Sequence, residues 1–425
     1  MKRRLSKMRI LFKAVSINLS ILVIISTTLL INCGNDNNDK KSTEAENAED
    51  VIIVIGNLTD RTGPAAQSMQ YIDLALEDSI RYYNDNDLIP GVKLKLEEYD
   101  TQYDTARVML GYNFLKDKGA SVIVSFLPIV PEIVSYHVNK DEIVFFTANA
   151  NAEYLYPPGY TFAWSCLWDE TAYTQLKWIA ENHWNYQLYG PARLGGAGWD
   201  DGAAPIVFEA AKSYAAEHPD QFEWVDGYIT DFTFSWASQI EALKDCDYIF
   251  IPTVMHTFTR EYVNAGYSKA TFLANESHTA FLGMMSESER WDDIEGTLFV
   301  MNLQWWGQGA EEEVPIVDEL LNTYHPDRVN QIKSAGRSYI TAFLHPMLCD
   351  IIKIAAADVG PEHVNSTAIY EAAQTFQYDL PSVANYLNFG PEKRNGYNYF
   401  MISEADADEE TLKGVSGWLP VIHRN

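Results

Sequence analysis

Cysteine is scarce in this chain of 425 residues, which contains only four. Cys33 follows an apolar N-terminal segment, and Cys166, Cys246 and Cys349 are far apart in the sequence. An odd number of three in an exported protein provides no disulfide framework, and the sequence has neither a Cys-x-x-Cys pair nor a Cys/His metal-ligand spacing. We therefore expect these three cysteines to be small buried apolar residues, and we expect no metal and no cofactor.

Basic residues are also in short supply, with 31 Lys and Arg against 59 Asp and Glu and a formal net charge of −28. Six of the basic residues and none of the acidic ones lie in the first 32 positions, so the rest of the chain is still more acidic. A surface of this sign repels nucleic acid and anionic membranes. We expect neither as a direct partner, and a membrane could then be reached only through an anchor.

Catalytic motifs are missing from the sequence. It contains no Gly-x-Ser-x-Gly, no His-Glu-x-x-His and no close Cys/His pair, and Glu276-Ser-His278 stands alone as a catalytic fragment. The run from Gly195 to Gly202 has the spacing GxGxxxG and lies in mid-chain, whereas a dinucleotide fingerprint needs GxGxxG in the first βα turn. These absences argue against an enzyme and against a nucleotide site.

The N-terminus has the outline of a secretory signal. A basic stretch from Lys2 to Lys13 precedes an apolar stretch from Ile21 to Ile31 that ends at Cys33. Leu30-Ile-Asn-Cys33 resembles a bacterial lipoprotein box, although Asn32 stands where that box has a smaller residue. We expect residues 1–33 to be a lipoprotein-type signal and Cys33 to be lipidated. The alternative is an uncleaved membrane anchor, although polar residues dilute the span.

Residues 34–50 contain no aromatic and no branched aliphatic side chain, so they cannot bury enough surface to fold. We expect them to form a flexible tether. The folded body would then work outside the cytoplasmic membrane, in the periplasm or on the cell surface.

The segment from Ser121 to Asn151 is typical of a βαβ unit. Ser121–Phe126 and Ile143–Ala148 are short apolar runs, as expected of strands buried on both faces. Pro128 suits the first turn of the connecting helix. The carboxyl ends of parallel strands meet at one sheet edge, where α/β proteins bind small ligands. We therefore expect a site built from residues that follow the two strands, namely Phe126, Leu127, Pro128, Asn149 and Asn151.

Strand and helix patterns alternate from Val51 onwards, which predicts a mainly parallel three-layer α/β sheet. The alternation pauses between Tyr154 and Leu167 and then resumes, which indicates a second lobe of the same kind. We expect the first lobe to contain residues 51–165 and 276–380, and the second to contain residues 166–275 and 381–425. Within the latter part of the chain we expect a strand near Leu298–Leu303 and an apolar helix at Ser338–Ala357, kinked by Pro346.

Several loose motifs occur in the order found in one known family. The chain resembles the leucine-binding family of extracytoplasmic solute-binding proteins, which serve branched-chain amino-acid ABC transporters, over most of residues 51–405. The motifs are Ile55-Gly-Asn-Leu-Thr, Thr62-Gly-Pro, Tyr99-Asp-Thr, Thr230-Asp-Phe, Ala265-Gly and Phe389-Gly-Pro-Glu-Lys-Arg. The resemblance implies a periplasmic-binding-protein type I fold, with two Rossmann-like lobes joined by three crossing segments. It further implies a ligand cleft between the lobes, a membrane permease as partner and a monomeric receptor.

The ligand positions of that family transfer unevenly. Where the family offers a serine hydroxyl to an amino-acid carboxylate, this chain has Pro128. The family's tyrosine in the first loop matches Ser68, and its small and hydroxyl residues after the fourth strand match Asn149 and Asn151. An aromatic gate from the second lobe matches Trp199, in a glycine-rich run that we interpret as a gate loop or as a structural turn.

The family's acid that pairs with a ligand ammonium falls near Val254–His256, where this chain has no acid. His256 is then a candidate, and Glu276 could replace the acid. Trp305-Trp306 is either core or a wall of the site. The resemblance supports a small organic ligand, which could be an amino acid, an amide or an aromatic or other organic acid.

Three classes of function compete on this reading. A receptor that feeds an ABC permease is the first, the same module sensing a ligand for a membrane kinase or chemoreceptor is the second, and a lipid-anchored enzyme is the third. No signalling domain follows the second lobe, and no catalytic constellation is present, so we favour the first.

Overall fold

The computed structural model describes residues 50–336, 338–341 and 343–423. The predicted signal, Cys33 and all of the predicted tether except Asp50 lie outside the described residues.

The first lobe is built on a parallel sheet of five strands in the order β2-β1-β3-β4-β5. Strands β1, β3 and β4 form because their apolar runs are buried on both faces, as parallel strands covered by helices require. The strands are β1 Val51–Thr59, β2 Val92–Asp100, β3 Ala120–Ser125, β4 Val144–Thr147 and β5 Thr161–Ala163.

The second lobe is built on a sheet of eight strands in the order β14-β13-β10-β9-β8-β6-β7, with β15 paired to β13. Strands β6 to β10 run parallel, and β13 joins β10 in the antiparallel sense. The strands are β6 Ala192–Trp199, β7 Phe222–Thr230, β8 Tyr248–Phe250, β9 Thr271–Asn275, β10 Leu298–Met301, β13 Tyr399–Asp406, β14 Thr411–Gly414 and β15 Leu419–Pro420. A separate hairpin consists of β11 Gln377–Leu380 and β12 Val383–Asn388.

Helices cover both sheets. Up to the end of the second lobe's parallel strands they are α1 Ala66–Asp85, α2 Thr105–Asp117, α3 Val130–Asp141, α4 Ala152–Leu155, α5 Trp168–Trp178, α6 Tyr186–Tyr189, α7 Ala204–Glu217, α8 Ala237–Leu243, α9 His256–Asn264, α10 Glu276–Thr279 and α11 Leu282–Glu287. After β10 they are α12 Ala310–Glu313, α13 Pro315–Tyr324, α14 Val329–Ser334, α15 Ser338–Thr341, α16 Leu344–Val359 and α17 Ser366–Ala373. A π-helical turn, Ile179–His183, extends α5, and two 3₁₀ turns lie at Trp291–Ile294 and Pro361–His363.

The chain passes between the two lobes three times. It leaves the first sheet after β5, and it returns after β10, since α13, α15 and α16 pack on α1 while α17 packs on β3 and β4. It passes to the second sheet again between β12 and β13. The first and third passages run side by side, because the backbone of Ala163 bonds to both Arg394 and Gly396 and Tyr397 donates to Trp164. The predicted fold class, two α/β lobes, is confirmed.

The strand predicted near Leu298–Leu303 exists as β10, but it lies in the second sheet rather than in the first lobe, where we expected residues 276–380. It is held there by β9 on one side and by β13 on the other. The antiparallel partner Tyr399–Asp406 comes about a hundred residues later in the chain, and local patterns do not reveal such a pairing.

Two predictions of local structure are wrong in detail. The strand predicted near Leu188–Leu194 begins only at Ala192, and Leu188 lies exposed in the short helix α6. The glycine-rich run is not a loop as far as Trp199, because Gly195 to Gly198 lie inside β6. Glycine is needed there, since a Cβ on Gly196 would lie 2.5 Å from the ring of Phe208 in α7.

The apolar stretch around Pro346 is divided rather than kinked. Helix α16 begins at Leu344, so the proline lies in its first turn, where a missing N–H costs nothing. Ser338–Val359 is long and apolar enough to cross a membrane, but 75% of its most apolar window is buried inside the protein, as in a core helix. Cys166, Cys246 and Cys349 are free and buried, as predicted.

Candidate ligand-binding site

The strand orders place two topological switch points opposite the same cavity. In the first sheet the connections from β1 and β3 wind in opposite directions, and in the second sheet those from β6 and β8 do so. A crevice forms at the carboxyl ends of such strand pairs. Residues that follow each of these four strands line the cavity, among them Pro64, Phe126, Trp199 and Thr253.

The cavity has a volume of about 130 Å³. A single water needs roughly 10–15 Å³ on this scale, so the space would hold about ten waters, or one small organic molecule. Its walls are mainly apolar and aromatic, and both lobes contribute side chains. The aromatic members are Tyr103, Phe126, Trp168, Trp199, Phe232, Phe281 and Tyr397.

Seven of the nine residues predicted for the ligand site line this cavity. They are Ser68, Phe126, Leu127, Pro128, Asn149, Trp199 and Glu276. The structure thus brings together residues that are separated by as many as 208 positions in the chain. Whether each of them contacts a ligand stays a prediction.

Asn151 and His256 do not line the cavity. Asn151 precedes the four-residue helix α4, which turns the chain away, and it lies in a separate groove beside Trp168 and Ile206. His256 opens helix α9, one residue beyond the lining position Val254 and its neighbour Met255, and burial lowers its pKa. The pair Trp305-Trp306 is buried core and does not line the cavity either.

The first lobe contributes two buried polar side chains. Ser68, in the first turn of α1, lies 3.3 Å from the hydroxyl of Ser338. Asn149 is only 6% exposed, and its Nδ2 has no hydrogen-bond partner in the described part of the chain. A buried amide donor without a protein partner is costly unless a bound molecule accepts its hydrogen bond.

Glu276 lies at the meeting point of the two lobes. It follows β9 and opens α10, and it is 8% exposed. Ser165, in the first passage between the lobes, donates its hydroxyl to Glu276 Oε1 at 2.9 Å. Asn275 caps the same helical turn by accepting from the backbone N–H of Ser277. The carboxylate is therefore held in the cavity wall by both chain segments.

Asp201 is the second carboxylate of the wall. It accepts hydrogen bonds from the backbone N–H groups of Ala203 and Ala204, each at 3.0 Å, and so caps the N-terminus of α7. Burial raises its pKa, and these backbone hydrogen bonds oppose the rise. Among the described residues of the wall, Glu276 and Asp201 are the only ones with a charged side chain.

The loop after β1 is shaped by Asp60, which is fully buried. Its carboxylate accepts from the backbone N–H groups of Thr62, Gly63 and Ala65. A Cβ on Gly63 would lie 2.6 Å from the carbonyl oxygen of Gln102, so only glycine fits the turn. This turn places Pro64 and Ala65, at the start of α1, in the cavity wall.

The mouth of the cavity is closed by aromatic side chains that sequence reasoning missed, apart from Trp199. Tyr103 follows β2 in the first lobe and Phe232 follows β7 in the second, and their rings meet edge-on. Trp199 packs on Phe232 with ring centroids 5.2 Å apart and donates its Nε1–H to the carbonyl of Thr233. Aromatic residues in loops after strands were the only available signal.

No metal site accompanies the cavity, since the described residues contain no group of three or more His, Cys, Asp and Glu placed to hold a metal ion.

Comparison with known proteins supports this architecture. Residues 52–185 match the family model of periplasmic binding proteins. No curated protein matches the chain in sequence.

Solved structures match nearly the whole folded part. One is a branched-chain amino acid ABC transporter protein from Thermus thermophilus with bound valine, at 17% identity and a TM-score of 0.72, covering 88% of this chain and 97% of that one. Another is an ABC transporter solute-binding protein from Rhodopseudomonas palustris in complex with 3,4-dihydroxybenzoic acid, at 12% identity and a TM-score of 0.70, covering 88% and 98%. A leucine-binding protein from Thermotoga maritima matches at 11% identity and a TM-score of 0.68, covering 87% and 99%.

The predicted resemblance is thus confirmed. Residues 52–185 are similar to periplasmic binding proteins in sequence, and the described chain has the two-lobed fold of ABC-transporter solute-binding proteins.

Proposed function

We propose that this protein is an extracytoplasmic solute-binding receptor that captures one small organic molecule between its two lobes and delivers it to an ABC permease. The observation that carries the proposal is the cavity of about 130 Å³ at the facing switch points, with walls from both lobes. Hinged closure around a ligand needs a site of this kind, because a molecule that touches both lobes stabilises the closed form.

The composition of the wall supports a ligand with an apolar or aromatic body. Phe126, Trp168 and Phe232 are among the rings that surround the space. Few polar groups accompany them, and in small-molecule sites such groups fix the orientation of the ligand. Here Asn149 offers an amide donor, whereas Glu276 and Asp201 offer acceptors. A ligand with both an acceptor and a donor, such as an amide or an amine, suits this set.

A simple branched-chain amino acid suits the wall less well. Pro128 lines the cavity without the hydroxyl that the family offers to a carboxylate. A hydrogen bond to a charged group contributes roughly 1.5–3 kcal/mol, so its loss would weaken binding about 10- to 100-fold. The acid that the sequence lacks near His256 is supplied from Glu276, so a ligand amino group still has a partner.

The N-terminal features fit such a receptor. A secretory signal would export the chain, a lipid on Cys33 would retain it at the membrane, and residues 34–50 would allow the folded body to reach its permease. Two acyl chains suffice for stable attachment. The receptor would act as a monomer, because one chain supplies both lobes of the site.

Calorimetry on protein stripped of bound molecules tests the ligand class. The panel contains leucine, isoleucine, valine, benzoate, benzamide and phenylalaninamide. We expect the two amides to bind more tightly than the three branched-chain amino acids, at one molecule per chain. The matched variant Ala148→Phe fills the cavity and should abolish the heat of binding. Micromolar or tighter binding of leucine, isoleucine or valine would overturn the ligand class, and binding unaffected by Ala148→Phe would overturn the site.

A further inference from the structure

A second, smaller compartment lies behind the cavity in the second lobe. Its volume is about 40 Å³, and it is bounded by α5, the start of α7 and the ends of β6, β8 and β9. On the scale where one water needs roughly 10–15 Å³, it would hold about three heavy atoms.

The compartment adjoins the main cavity. Both spaces share five wall residues, which are Trp199, Asp201, Ala203, Thr253 and Asn275. It also lies at the switch point of the second sheet, between the end of β6 at Gly198 and the end of β8 at Phe250. The fold therefore places it where α/β sheets receive ligands.

The polar side chains of the compartment are already hydrogen-bonded to the protein. Gln175 Nε2 donates to the carbonyl groups of Ala274 and Leu298. His278 Nε2 lies 3.0 Å from the carbonyl oxygen of Ile251. Burial lowers the pKa of His278 to about 4, so this ring is neutral at pH 7. These groups are satisfied without a ligand.

The remaining surface is hydrocarbon. Ala172, Val207, Phe208 and Leu273 are buried and face the compartment. A space with satisfied polar groups and apolar walls favours an apolar occupant, because a polar atom placed there would lose its hydrogen bonds to water.

We propose that this compartment receives an apolar branch of about three heavy atoms from the molecule bound in the main cavity, and so sets ligand specificity. The proposal rests on the proposed function, since it needs a molecule in the main cavity. It assigns selectivity to Ala172 and Val207, neither of which lines the main cavity.

Two variants change the compartment in opposite directions. Ala172→Leu fills it from α5, and Val207→Ala enlarges it from α7. Ala216→Leu is the matched control, because Ala216 is exposed at the far end of α7. Far-ultraviolet circular dichroism establishes that each variant is folded.

The first measurement needs no organic ligand. Xenon binds apolar cavities, and ¹²⁹Xe NMR reports its occupancy. We expect a saturable xenon site in the wild type and in Ala216→Leu, lost in Ala172→Leu and retained in Val207→Ala. Absence of a saturable site in the wild type, or its persistence in Ala172→Leu, would overturn the proposal whatever the main cavity binds.

The second measurement uses calorimetry with benzamide and its 4-methyl, 4-ethyl and 4-propyl derivatives. Each added carbon should raise affinity about fourfold in the wild type until the compartment is full. The gain should vanish in Ala172→Leu while benzamide itself binds as before, and Val207→Ala should extend the gain by a carbon. An equal loss for every member of the series, or no gain in the wild type, would contradict the proposal. Xenon binding without any benzamide binding would instead contradict the proposed ligand class.

Discussion

Tyr103 and Phe232 come from opposite lobes and meet at the mouth of the cavity, with ring centroids 5.9 Å apart and planes at 78°. Both residues adopt left-handed backbone conformations, with φ of 54° and 49°. Bulky residues rarely do so, because their Cβ crowds the backbone, and such strain is concentrated at functional positions. The contact ties the two lobes together over the site.

Removing this contact should speed ligand release. An edge-on aromatic pair contributes about 0.5–1.5 kcal/mol, so Phe232→Ala should weaken binding roughly 2- to 10-fold. The loss should be in the dissociation rate, measured by stopped-flow fluorescence. Phe234→Ala is the control, since Phe234 is 50% exposed and packs on Trp199. Equal effects of the two variants would exclude a role for the contact between the lobes.

Substitution of Glu276 should weaken binding strongly. Because the carboxylate lines the cavity, Glu276→Gln should lower affinity at least tenfold for a ligand that donates to it. Ser165→Ala, which removes the hydroxyl at 2.9 Å, should have a smaller effect. Glu313→Gln is the matched control, because Glu313 is also buried but lies outside the cavity. Calorimetry with the same ligand measures all three, and wild-type affinity in Glu276→Gln would contradict the assignment.

Asp73 should make stability depend on pH. Burial raises its pKa from the ordinary 3.8 to about 6, although Thr59 and Asn57 donate hydrogen bonds to the carboxylate. Between these two values the folded state keeps its proton and the unfolded state loses it. The free energy of unfolding should therefore fall as pH rises from about 4 to 6, by about 2–3 kcal/mol from this group.

Urea denaturation at pH 4 and pH 7 measures this contribution when wild type is compared with Asp73→Asn. The variant should be destabilised relative to wild type more at pH 4 than at pH 7, because it lacks the titrating group. Asp117→Asn, an exposed position at the end of α2, should show no such change. A difference between wild type and Asp73→Asn that is the same at both pH values would rule out the shift.

Cys33→Ala should release the protein from membranes or leave its signal uncleaved. In the wild type, radiolabelled palmitate should be incorporated and most of the protein should sediment with membranes. Cys246→Ala is a control cysteine in the folded body. Wild-type protein that never acquires label would contradict lipid anchoring.

Much of the fold was readable because its strands are buried on both faces. The apolar runs at Ser121–Phe126 and Ile143–Ala148 became β3 and β4 to within two residues at each end. The sheet of Leu298–Met301 was not readable, because it depends on an antiparallel strand far along the chain. Local hydrophobic patterns establish that a strand exists and leave its partner open.

The site was predictable where it directly follows parallel strands, as at Phe126 and Asn149. It was not predictable where loop geometry decides, since helix α4 turns away after Asn151. Tyr103 and Phe232 became neighbours only through the approach of two lobes, about 130 residues apart in the chain.

The central claim is that one small molecule occupies the cavity between the lobes, and native mass spectrometry of the protein purified from its own cells tests it most directly. We predict a single non-covalent organic adduct per chain in the wild type, absent from Ala148→Phe expressed in the same cells. A wild-type protein without any adduct, or an adduct retained in full by Ala148→Phe, would contradict the account.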